Sequence, residues 1–252
     1  VIEFAAQQAT VTYPAAEWGG LPALGPLSFQ LEAGSFVCLV GPSGCGKSTL
    51  IRVLAGLQQL SAGRVTLDGA EIDQPSERVG LMSQDANLMP WRTVAENIAL
   101  PLELAGAERA ERQRAVESIL PRLGLDQFGA AYPSELSGGM AQRVALGRVL
   151  VRLPDALLLD EPFGALDAMT RERIGLDLLA LWADLRPTVL MVTHSITEAV
   201  LLADRILILS QRPGQIVADL RIDLPRPRNL EHTHDPRFAD LARQVRSRIE
   251  LG

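Results

Sequence analysis

The run GPSGCGKST at residues 41–49 gathers glycines, a lysine and hydroxyls into nine positions. Gly41, Gly44 and Gly46 can turn backbone N–H groups inward around anionic oxygens, and a helix starting there adds its positive end. Pro42, Ser43 and Cys45 fill the loop, and Thr49 closes it. Lys47 would reach the outer phosphates of a bound nucleotide, and Ser48 would offer its hydroxyl to Mg2+. The match to G-x-x-x-x-G-K-[ST] is complete. Of the 24 lysines and arginines in the chain, Lys47 is the only lysine. A compact ammonium on a thin stem suits a narrow loop, and the planar guanidinium fork does not. The bland alternative, a glycine-serine turn ahead of an ordinary helix, does not require this pattern.

Three further groups could act with that loop. Asp160 and Glu161 follow an apolar run, so the first acid could hold Mg2+ and the second could orient and polarise water. Phosphoryl transfer needs that division, because positioning and charge neutralisation do most of the work. Two adjacent acids also occur in solvated turns. His194 follows another apolar run, at the edge where ligands bind in open α/β sheets. An imidazole there could hydrogen-bond a terminal phosphate or the water, though a lone histidine is often structural. Ser137 is a good N-cap, and Gly138 and Gly139 leave N–H groups uncovered behind it, making a second anion site without a lysine. Two such helix ends suggest one nucleotide held between two copies of the chain.

The elements that must position these groups are legible in outline. Residues 35–40 form a short apolar run rich in β-formers, and 49–57 carry helical spacing, so the loop joins a buried strand to a helix. Residues 1–33 and 63–69 alternate in short stretches and suggest a small antiparallel sheet. Residues 78–84 predict a strand ending near Gln84. From about 88 to 150 the pattern is helical (94–105, 108–123 and 138–153), as expected for an inserted subdomain. Strands at 156–160, 188–193 and 205–209 alternate with helices at about 169–185 and after Ser195, where Glu198 gives capping-box spacing. The expected fold is α/β, a mostly parallel P-loop NTPase core with an N-terminal antiparallel β-subdomain and an inserted α-helical subdomain. One domain over 1–225 is expected, followed by a peripheral tail, 226–252, with a short helix.

Composition sets the setting. The formal charge of −6, with both signs interleaved, argues against a nucleic-acid partner. Cys38 and Cys45 fit a reducing compartment, with Cys45 more simply a loop filler than a reactive thiol. No apolar run is long enough to cross a bilayer, and residues 1–4 do not start a secretory signal, so a cytoplasmic location is expected.

Six ordered elements now resemble an ATP-binding cassette (ABC) ATPase over nearly the whole chain to about residue 225. They are Tyr13, the loop at 41–49, Gln84, LSGGM at 136–140, LLLDEP at 157–162 and His194. The resemblance implies ATP and Mg2+ as cofactors, with Tyr13 (or Trp18) stacking on adenine. Gln84 would join Ser48 and Asp160 at the metal, with Glu161, His194 and Lys47 catalytic. Ser137, Gly138 and Gly139 would clamp ATP bound to a second copy of the chain, across the loop at 164–167. Met140 departs from the glutamine usual in the family but leaves the binding glycines intact.

The stretches 87–98, 161–171 and 212–216 resemble importers of the nitrate, sulfonate and taurine type. They imply transmembrane permease subunits docking at Leu88, Met89 and Trp91, an external solute-binding protein acting indirectly, and a peripheral position on the inner face of the cell membrane. Import of another solute, such as a pyrimidine precursor, is an alternative. A soluble P-loop kinase is the rival from another class, and a cassette acting on nucleic acid would need paired domains or basic extensions.

Overall fold

The computed structural model describes residues 1–14, 20–164 and 166–251. In chain order its elements begin with β1 (Phe4–Tyr13), β2 (Leu21–Leu31), β3 (Phe36–Val40) and α1 (Lys47–Leu54). Then come β4 (Ala62–Leu67), β5 (Ala70–Glu71), β6 (Val79–Met82), α2 (Val94–Leu104), α3 (Arg109–Ile119) and α4 (Gly138–Leu150). The last are β7 (Ala156–Asp160), α5 (Ala168–Leu185), β8 (Thr188–Val192), α6 (Ile196–Leu202), β9 (Arg205–Leu209), β10 (Ile216–Arg221) and α7 (Pro236–Leu251).

Two sheets form, as the sequence leads one to expect. The larger has the order β10-β9-β3-β8-β7-β6 and is parallel except for β10, and the smaller is the antiparallel β2-β1-β4-β5. Strands β3, β7 and β8 are buried along their whole length because both faces are covered. Successive residues point to opposite faces. Phe36, Cys38 and Val40 join the core beneath α5, α6 and the helical block, while Val37 and Leu39 join the core shared with α1 and the antiparallel sheet.

Boundaries differ from expectation where proline intervenes. The helix expected over 108–123 stops at Ile119, since Pro121 has no N–H to donate, and a 3-10 turn follows. α4 ends at Leu150; Leu153, ahead of Pro154, sits at φ 49°, outside the helical region that a following proline disfavours. The strand expected over 78–84 covers only Val79–Met82, so Gln84 lies in the bend beyond it.

The tail is packed against the core, contrary to the peripheral position expected from its prolines. Phe238 and Val245 of α7 are buried in the main core. The buried Arg228 guanidinium donates to the carbonyls of Val200, Leu201 and Ala203, which the C-terminal end of α6 leaves unpaired.

Candidate active site

The phosphate loop leaves β3 at Gly41 and enters α1 at Lys47. Gly46 has φ 103°, and a Cβ there would meet the Ala23 carbonyl oxygen at 2.6 Å, so both backbone and space demand glycine. Ser43 and Gly44 form the exposed rim, whereas Cys45 is fully buried and offers a ligand only its backbone. Lys47 is 8% exposed, and its ammonium donates to the carbonyls of Gly41 at 2.9 Å and Pro42 at 2.8 Å.

The loop is also gripped from behind, which its own sequence does not reveal. Arg212 Nε donates to the Gly44 carbonyl at 3.2 Å. Gly214 donates to Ala23 O at 3.1 Å and accepts from Gly25 N at 2.9 Å. A Cβ on Gly214 would lie 2.1 Å from the Cys45 carbonyl oxygen. The β9–β10 connection and the antiparallel sheet therefore fix the loop between them.

Asp160 ends β7 beside that loop. Burial raises its carboxyl above the usual range, a bond from the Ser48 hydroxyl opposes this, and Glu161 reinforces it. A carboxyl raised in the folded state stabilises the fold in acid, and that contribution is lost as pH rises through the folded value. At neutral pH the buried charge is a net cost. Asp160→Asn is therefore expected to raise Tm without nucleotide by about 2–4 °C while hydrolysis falls at least about 100-fold. Thermal scans and an ATPase assay check both, and a lower Tm would show that the carboxylate stabilises the fold.

Glu161, the next residue, has φ 47°, an uncommon conformation for a glutamate. Its N–H donates to Val192 O at 3.0 Å, which seats it beside the end of β8. Gln84 Nε2 donates to Glu161 Oε2 at 3.4 Å, and His194 Nδ1 lies 3.3 Å from the same oxygen. Two sequence-predicted residues thus converge on the carboxylate of a third. Their order in the sheet explains it, since β6, β7 and β8 are neighbours and each residue follows one of them.

Other predicted residues stand apart. Tyr13 ends β1 with its ring against the second core and its hydroxyl 3.2 Å from Thr49 Oγ1. Trp18 lies outside the described residues. Ser137 caps α4, accepting from Met140 N at 3.3 Å, and Ser137 and Gly138 are exposed. A Cβ on Gly139 would meet Leu166 Cδ2 at 2.9 Å, so this helix start lies close against Leu166, ahead of α5.

Sequence reasoning missed the residues that hold the Gln84 loop. Gln142 Nε2 donates to Gln84 O at 2.8 Å, and Arg148 donates to Asn87 O and Ala86 O at 2.9 and 2.7 Å. The two lie six residues apart on α4, about 120° around the helix, so no single-face pattern in the sequence points to their shared target. Asn97 is fully buried and clasps residues 89–93, accepting from Met89 N and donating to Met89, Arg92 and Thr93 carbonyls.

The ABC transporter family model matches residues 24–164. The taurine import ATP-binding protein TauB of Rhizobium johnstonii is 45% identical over 232 residues, covering 89% of this chain and 88% of the relative. The chain belongs to the ABC transporter family. As an ABC ATPase it couples ATP hydrolysis to transport, which sets aside the soluble kinase. The aliphatic sulfonates import ATP-binding protein SsuB of Bacillus cereus is 42% identical, covering 95% and 93% of the two chains. The nitrate import ATP-binding protein NrtD of Synechocystis is 45% identical, covering 82% and 78%. A solved dimer of the ATP-binding cassette MJ0796, in a post-hydrolysis state with ADP and Pi, superposes with a TM-score of 0.79 at 30% identity, covering 88% of this chain and all of that one.

The residues present fit the metal that the family implies. Ser48, Gln84 and Asp160 are oxygen donors of the kind Mg2+ takes, and the raised Asp160 carboxyl is a buried acid whose charge a cation would compensate.

Proposed function

We propose that this ABC ATPase is the ATP-hydrolysing subunit of an importer for a small solute that carries a negatively charged group, such as taurine, an aliphatic sulfonate or nitrate. Two copies would close on two ATP molecules, pull on transmembrane permease subunits, hydrolyse and reopen. The convergence of Gln84 and His194 on Glu161 carries the reading, because it assembles a base and two orienting groups at one point. Likeness to taurine, sulfonate and nitrate import proteins supports the solute class.

In this reading the Glu161 carboxylate takes the proton of the attacking water as its oxygen bonds the terminal phosphorus, and ADP departs. His194 hydrogen-bonds the water or the transferring phosphoryl oxygens. Lys47 and the inward N–H groups of residues 43–49 neutralise charge that develops on the phosphates. Ser48, Gln84 and Asp160 would hold Mg2+, which supplies charge neutralisation on phosphate oxygens. Tyr13 would stack on adenine once its ring swings from Thr49.

Among the described residues no helix is long and apolar enough to cross a membrane. Likeness to import ATP-binding proteins supports a seat on the inner face of the membrane through a permease, with the external solute-binding protein acting only through that partner. Leu88 packs against the chain's own core and Met89 is half-buried, contrary to the exposure expected of them; Trp91 is 71% exposed. Held by the Asn97 clasp, Trp91 is the anchor this surface offers.

Trp91→Glu is expected to cut solute uptake by reconstituted transporter at least about tenfold, while the free subunit hydrolyses ATP at the parent rate. Parent-level uptake would remove the docking assignment. Uptake assays with taurine, alkanesulfonates, nitrate and a pyrimidine precursor test the solute.

A further inference from the structure

The His194 side chain is 59% exposed, and among the described residues its only polar partner is Glu161. Packing therefore does little to aim the imidazole, and its direction is left to the backbone of residues 193–195. That backbone is fixed in an unusual way. Serine and glutamate three apart usually exchange two bonds, with the glutamate returning to the serine N–H. Here Ser195 Oγ accepts from Glu198 N at 3.3 Å, but Ser195 N donates to Thr193 Oγ1 at 3.0 Å, and that hydroxyl donates to Glu198 Oε2 at 2.5 Å. The threonine hydroxyl is interposed, so both neighbours of His194 hang from one carboxylate.

The other oxygen of that carboxylate faces Arg171, whose Nε lies 3.5 Å from Glu198 Oε1 and is buried without a hydrogen-bond partner. Arg171 Nη2 donates to the Leu166 carbonyl at 2.9 Å. The start of the LSGGM helix lies close against Leu166. Burial raises the Glu198 carboxyl, Thr193, Arg171 and His194 oppose this, and Glu161 reinforces it.

We infer that Glu198 and Arg171 are positioning residues that hold His194 against Glu161 and tie that pair to Leu166, ahead of α5. The inference rests on the reading of Glu161 and His194 as the hydrolytic pair. The chain of contacts runs Leu166 carbonyl, Arg171 guanidinium, Glu198 carboxylate, Thr193 hydroxyl, then the backbone that aims His194. Movement of Leu166 is thereby transmitted to the imidazole, so a second copy closing there would set the histidine as it arrives. A group placed a fraction of an ångström away loses rate without losing substrate.

The test uses the full chain with Mg-ATP. Glutamine has the size of glutamate and keeps a carbonyl oxygen to accept from the Thr193 hydroxyl, so Glu198→Gln is expected to fold with its Thr193 bond kept. It should lower kcat on the order of 10- to 100-fold with KM for ATP within about twofold. Arg171→Lys, which keeps charge but loses the fork, should fall between the parent chain and Glu198→Gln. Added to His194→Ala, Glu198→Gln should cause no further loss, because the two act through one ring. The same loss in both backgrounds would overturn the inference while leaving the catalytic pair standing. Normal turnover by His194→Ala alone would instead overturn the reading of the pair. A second readout covers a His194→Ala variant too slow to measure. Of the chain's 3 histidine ring signals, that of His194 should move in Glu198→Gln, and an unmoved signal would also overturn the inference.

Discussion

Glu161→Gln is expected to bind ATP as tightly as the parent chain and to hydrolyse it about 10²- to 10⁴-fold more slowly. The carboxylate is the group on which Gln84 and His194 both converge, at 3.4 and 3.3 Å. An amide preserves the shape and can still accept the Gln84 bond, so the local structure survives. It cannot take a proton from water. ATP would then hold the two copies closed without being consumed, and a nucleotide-dependent dimer should accumulate on a sizing column. The strained backbone at residue 161 sharpens the expectation, because φ 47° is set by the fold around β7 and β8 and not by the side chain's charge. Parent-level turnover would dismiss Glu161 as the base.

Ser137→Arg is expected to reduce hydrolysis at least about 100-fold, close to 2.7 kcal/mol of barrier, while nucleotide affinity of the separate monomer stays within about twofold. Ser137 and Gly138 are exposed at the start of α4. α4 packs on α2 and β6, whereas the phosphate-loop helix packs on β7, β8 and β2. A bulky cation at this helix start would block a second copy from closing over the ATP and leave the monomer's own loop untouched. The serine is also an N-cap, whose loss costs about 0.5–2 kcal/mol of stability. Ser137→Ala separates the two effects, since it removes the cap without adding bulk. If monomer affinity collapses in Ser137→Arg, the helix start does not serve a shared site.

The phosphate loop was readable because its chemistry is local. Glycine at 41, 44 and 46, a single lysine and a flanking apolar strand act over nine residues, and backbone N–H groups do the work whatever surrounds them. The strands at 156–160 and 188–192 were readable for a similar reason, since burial on both faces demands continuous apolar runs. Proline fixed the errors at Ile119 and Leu150, where periodicity continues but the backbone cannot.

The residues that hold the site together were not readable. Gln84 and Glu161 are 77 positions apart, Gln142 reaches Gln84 across 58, and Arg212 reaches Gly44 across 168. An arginine or glutamine on a half-buried face looks the same in sequence whether it is solvated or grips a carbonyl. The Arg228 contacts to α6 explain why a proline-rich tail packs so well, and no local pattern announces them.

By itself, then, the sequence determined which groups could handle a phosphate and on which elements they would sit. That follows from short-range rules of backbone conformation, strand burial and helix ends. Only the tertiary structure decided that Gln84 and His194 meet on one oxygen of Glu161, that the loop is gripped through Gly214 and Arg212, and that the residues flanking His194 hang from Glu198. Those outcomes depend on sheet order and on which strand ends become neighbours, and no pattern along the chain encodes that adjacency.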